Sequence, residues 1–207
     1  MRVFPLFLFA AALTLPAGGQ EKPPRSDRAD ESRPDEEPVA FANPELQRLE
    51  LFAGAWKVAE THFNPRGEVV GKSKGTEEIA WVLDHHALRR VYTTSGGSTT
   101  FRATGMLTWN DAEKKYQGAW FDNVSTSGPT TVKGVWDDPA RTMLFELESV
   151  GPGGSALHHR VVEKFESLEQ RTATTYLVEG SSLVKRIETV YTRTTPCPSG
   201  VRAIFDE

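Results

Sequence analysis

Apolar residues follow two periods along this chain, and the change between them falls at Gly54. Before it, Leu46, Leu49 and Phe52 recur at a spacing that keeps them on one helical face. Asn43-Pro44-Glu45 supplies the helix start, with an Asn N-cap, Pro at the first helical position and an acid in the first turn. The predicted helix runs about two to three turns, ends at Gly54, and is too short to persist unless packed on something. Beyond Gly54 the period is two, which predicts ten strands at 55–63, 70–82, 86–94, 99–109, 115–122, 129–136, 142–149, 155–165, 172–179 and 183–193. Turn chemistry separates them, as in Asn64-Pro65-Arg66-Gly67, Asp137-Asp138-Pro139 and Gly151-Pro152-Gly153-Gly154.

The alternation is clearest in the middle of the chain. Phe101, Ala103, Gly105, Leu107 and Trp109 share one face, as do Tyr116, Gly118, Trp120 and Asp122. Short connections make sequence neighbours sheet neighbours, so the topology is an up-and-down meander. Ten strands without helices to cover them bury one face and lose their edges by closing. The predicted fold is therefore all-β, an antiparallel up-and-down barrel with a short N-terminal helix closing one end. A two-sheet sandwich is the rival, but it needs longer crossovers than this chain has.

The N-terminus departs from this pattern. Arg2, the apolar run from Val3 to Leu15 and Pro16-Ala17-Gly18-Gly19 read as a signal peptide over residues 1–19, cleaved near Gly19-Gln20. That run is too short to cross a ~30 Å hydrocarbon core, and no Cys follows it to carry a lipid anchor. Residues 20–40 are charged and Pro-rich, a composition that predicts a disordered spacer. The barrel domain is placed at 41–195 and a tail at 196–207. Periplasmic or secreted localisation follows, with no membrane anchor after cleavage. Net charge is −4, which gives no electrostatic basis for nucleic acid as a partner. The lone Cys197 cannot form an internal disulfide, so the fold rests on its core.

Gly54-Ala55-Trp56 resembles the Gly-x-Trp motif that opens lipocalin-like (calycin) barrels. The resemblance implies that Trp56 closes one end beneath the helix, with Arg193 packed across its indole as a cation–π contact. The span from about Leu46 to Arg193 is similar to the uncharacterised bacterial family DUF1579. That similarity rests on Gly71-Lys72-Ser73-Lys74-Gly75-Thr76-Glu77, on Gly105 to Trp109, on Tyr116-x-Gly118-x-Trp120-x-Asp122, on Gly134 and on Glu188-x-x-Tyr191-x-Arg193. Asp84-His85-His86 departs from it, standing where members often carry a Gly pair. The family brings no active site.

Candidate chemistry is sparse. The pairs His85-His86 and His158-His159 cannot each turn both rings to one metal from a regular strand. One His of each pair, with Glu188 or Asp122, could build a zinc or iron site. No cofactor is expected; haem through His158 or His159 is the alternative, since some lipocalin-like barrels hold haem through one His. No Gly-x-Ser-x-Gly elbow supports a hydrolase. A barrel this wide can leave a pocket, and Tyr116, Trp120 and Trp136 would line it. Asp122 and Arg160, as an enclosed ion pair, would fix a ligand's polar end. The expected function is binding of a small apolar or amphipathic molecule, without catalytic residues. An isomerase- or lyase-type enzyme using a buried acid–base pair, and an interaction module with a filled barrel, are the alternatives.

Overall fold

The structure is a computed structural model that describes residues 43–96 and 99–197. The predicted signal peptide, the spacer and all but the start of the tail lie outside the described residues. Helix α1 (Pro44–Arg48) passes into a 3₁₀ turn, Leu49–Leu51. Asn43 caps α1, its side chain accepting from the Leu46 N–H at 2.8 Å. Leu46, Leu49, Leu51 and Phe52 are all buried, so the short helix is held by packing.

Ten strands follow: β1 (Gly54–Phe63), β2 (Val69–Val82), β3 (Ala87–Gly96), β4 (Thr99–Asn110) and β5 (Lys115–Asp122). The second half is β6 (Thr130–Asp137), β7 (Thr142–Val150), β8 (Ala156–Phe165), β9 (Gln170–Glu179) and β10 (Ser182–Arg193). Each pairs antiparallel with its sequence neighbours, and β1 pairs with β10 to close the barrel. Trp56 lies opposite Arg193 in that closing pair, and Val58 opposite Tyr191. The alternation separates the two faces: Ala103 and Leu107 are buried, whereas Met106 and Phe121 point outward.

The two ends of the barrel differ. The helix sits at the end where β1, β3, β5, β7 and β9 begin, and four of the five tryptophans (Trp56, Trp81, Trp109, Trp136) lie there. At the other end β5 and β6 part early, because their pairing stops at Trp120 and Thr130. Asp122, still paired with Ala103 of β4, and the connection to β6 therefore lie beyond the β5–β6 ladder and form a rim. The corner Leu83-Asp84-His85 takes three successive positive φ values, 53°, 50° and 63°. Such backbone favours glycine, yet here Leu, Asp and His adopt it.

Candidate functional site

The helix end is sealed by one residue type used twice. Gly54, with φ of 119°, lets the chain turn from the 3₁₀ segment into β1 beside Arg193. Arg193 donates to the carbonyl of Leu51 at 2.7 Å, to that of Leu168 at 2.8 Å, and to that of Ala53. Its guanidinium also lies 4.1 Å from the centre of the Trp56 ring. Trp56 is fully buried and donates its Nε1–H to the Phe52 carbonyl at 2.9 Å. A second arginine, Arg171, approaches the same indole at 4.5 Å and the Tyr191 ring at 3.8 Å.

Arg171 is the centre of a buried ion cluster. It has no exposed surface and pairs with both Glu77 and Glu163, which are themselves buried. Arg90 joins from β3, donating to Glu77 at 2.7 Å and lying 3.7 Å from Glu163. Burial opposes ionisation of Glu77, but Arg90 and Arg171 outweigh it and hold its carboxyl below the usual glutamate range. Tyr191, by burial and then by the nearby Glu77 charge, is pushed up to about 12. Next to the cluster, Glu60 accepts from the Tyr92 hydroxyl at 2.6 Å and from Ser73. Behind Ser73, His62 Nε2 lies 3.0 Å from the Ser73 hydroxyl. Burial, then Tyr191 and Glu60, raises Tyr92 far above the ordinary phenol value, so its hydroxyl stays a hydrogen-bond donor.

Above this polar floor lies a chamber of about 190 Å³. Its apolar wall includes Trp120, Phe145, Leu147, Val161 and Ile187, and its polar wall includes Glu60, Glu77, Arg90, Tyr92 and Glu163. Toward the rim a wider space of about 600 Å³ is bounded by Phe101, Asp122, Ser125, Leu157 and His159. Trp120, Leu147, Val161 and Thr175 line both spaces.

The residues expected from sequence to line a pocket fall in three places. Trp120 lies in the chamber wall and Asp122 at the rim, where its carboxylate caps the turn by accepting from the N–H groups of Val124 and Ser125. Tyr116 and Trp136 face inward but at the sealed end. Tyr116 donates its hydroxyl to Glu45 and packs on Trp109 at 5.0 Å, while Trp136 packs on Phe165 at 6.0 Å. Arg160 points outward, 42 % exposed, and pairs with Glu146 at 2.7 Å, so the expected Asp122–Arg160 ion pair does not form. Leu157, His159, Val161 and Glu163 take the inward positions of β8, which leaves Arg160 on the other face. His158 likewise faces out, 3.8 Å from Glu148, whereas half-buried His159 reaches the rim. Burial, then the charges of Arg186 and His158, lowers the His159 pKa. Among the described residues no three His, Cys, Asp or Glu side chains are grouped as a metal site.

Sequence reasoning missed the ion cluster and Glu60. The signal was parity: Glu60 follows Trp56 and Val58 at steps of two, and Glu77 precedes Ile79 by two.

Fold and site together define a closed ten-stranded antiparallel barrel, sealed at one end, with an internal chamber over a charged floor. The chain belongs to the family described as "Protein of unknown function (DUF1579)", whose model matches residues 42–193. Among solved structures it is similar to the S-type phycobiliprotein lyase CPES from Guillardia theta, at 10 % identity and a TM-score of 0.49. That likeness covers 72 % of this chain and 92 % of the lyase chain. A search of the curated proteins found no match.

Proposed function

We propose that this is an exported protein whose barrel binds a small amphipathic molecule, with its polar end at the floor and its apolar part toward the rim. The observation that carries the reading is the shared wall: Trp120, Leu147, Val161 and Thr175 line both an inner chamber and a rim space, so side chains do not fill the barrel. Export rests on the charged, apolar and small-residue blocks of residues 1–19.

A barrel enzyme is the second reading, and the Glu60–Tyr92 contact is the acid–base pair it would use. The raised Tyr92 phenol argues for a positioning role, because it releases no proton near neutral pH. An interaction module would present a contiguous apolar face. Outside the barrel, Val91, Met106 and Phe121 are interleaved with Thr104, Arg89 and Arg102.

Native mass spectrometry of the protein purified from its own host, with an absorbance spectrum, tests the proposal. The expected result is a chain shortened by the 1–19 segment carrying a stoichiometric extra mass. Val161→Phe, which narrows the shared wall, is expected to weaken binding of an apolar fluorescent probe roughly tenfold. A Soret band would assign the extra mass to haem. An apo mass together with no probe binding would overturn the binding reading.

A further inference from the structure

At the chamber floor carboxylates outnumber guanidinium groups. Glu60, Glu77 and Glu163 supply three carboxylates, and Arg90 and Arg171 supply two guanidinium groups. Both guanidinium groups are engaged by Glu77 and Glu163, which leaves Glu60 without a cation from the cluster. Glu60 accepts one hydrogen bond on each oxygen, from Tyr92 and from Ser73, and a carboxylate has room for about four.

The wall beside Glu60 is aromatic. The Tyr92 ring lies 6.3 Å from the Trp120 ring and 6.2 Å from Phe101, both edge to face, and the Arg90 guanidinium lies 5.8 Å from the centre of the Trp120 ring. Trp120 lies against β4 where Gly105 has no side chain; a Cβ there would stand 2.5 Å from the indole. Aromatic rings beside a carboxylate whose nearest basic side chain is His62, 3.3 Å away and charged only when protonated, favour a cation over an anion of the same size. An anion would meet three carboxylates, and Arg90, the cation in the wall, is already held between two of them.

Resting on the binding reading above, we propose that the chamber selects amphiphiles with a cationic head, an alkylammonium group. Glu60 is the counter-charge, Tyr92 and Trp120 are the aromatic contacts, and the alkyl chain runs past Leu147 and Val161 toward the rim.

Displacement of a bound apolar probe by octylammonium, octanol and octanoate, at about pH 8 where histidines are generally uncharged, separates the two claims. The expected order is octylammonium tightest, by roughly tenfold over octanol, with octanoate weakest. Glu60→Gln is expected to remove that tenfold preference and leave octanol unchanged, with the melting temperature read alongside. If Glu60→Gln fails to fold, the wild-type order decides alone. Probe and octanol binding with octanoate equal to or tighter than octylammonium overturns the cation selectivity and leaves the binding reading standing. Failure of the probe and all three amphiphiles to bind overturns both.

Discussion

Without its guanidinium, the position of Arg171 would leave Glu77 and Glu163 facing one another deep in the barrel, with only Arg90 between them. Buried charges stripped of a partner are far costlier than the pair was stabilising. Arg171→Met is therefore expected to lower stability by about 3 kcal/mol or more in urea unfolding. Arg160→Met, which removes an outward pair with Glu146, is expected to change it by under about 1 kcal/mol. A small loss at Arg171 would show that Arg90 alone holds both carboxylates. The sequence does not mark Arg171, because the predicted ninth strand starts at Thr172. The stretch from Glu166 to Arg171 has Leu168 as its only aliphatic residue, so nothing apolar marks the start of β9. Arg160 is hard to place from sequence for the opposite reason: Val161 and Val162 put aliphatic residues on both faces of β8, and parity there is ambiguous.

At the level of elements, strand boundaries could be read to within about two residues, because each strand is bounded by turn-forming residues and keeps its period. On β4 and β5 alternation also separated the two faces, but it carries no information on depth along the barrel axis. Tyr116, Trp120 and Asp122 share one face of β5 yet lie at the sealed end, the chamber and the rim. The junction of the 3₁₀ turn and β1 depends on Gly54, whose φ of 119° suits no L side chain and whose absent Cβ makes room for Arg193 at 2.7 Å. Gly54→Ala is expected to cost about 1–3 kcal/mol, seen as a lowered melting temperature. An unchanged melting temperature would mean that Arg193 can leave its carbonyls without loss.

Over the whole molecule, stability should be graded from one end to the other. The sealed end combines the ion cluster, the arginine-bound carbonyls and most of the buried aromatic residues. The rim loses the β5–β6 ladder beyond Trp120. Among the described residues, hydrogen exchange followed by mass spectrometry is expected to be slowest for peptides covering 54–58, 171–173 and 189–193, and fastest for 123–129. Uniform protection from end to end would contradict that gradient.

On the proposed binding role, the plugged floor also governs traffic. A socket with a single door admits and releases its occupant by the same path, so a newcomer cannot push the old one out from behind. Exchange between two occupants is then strictly sequential, and its rate is capped by the departure of the first however concentrated the second becomes.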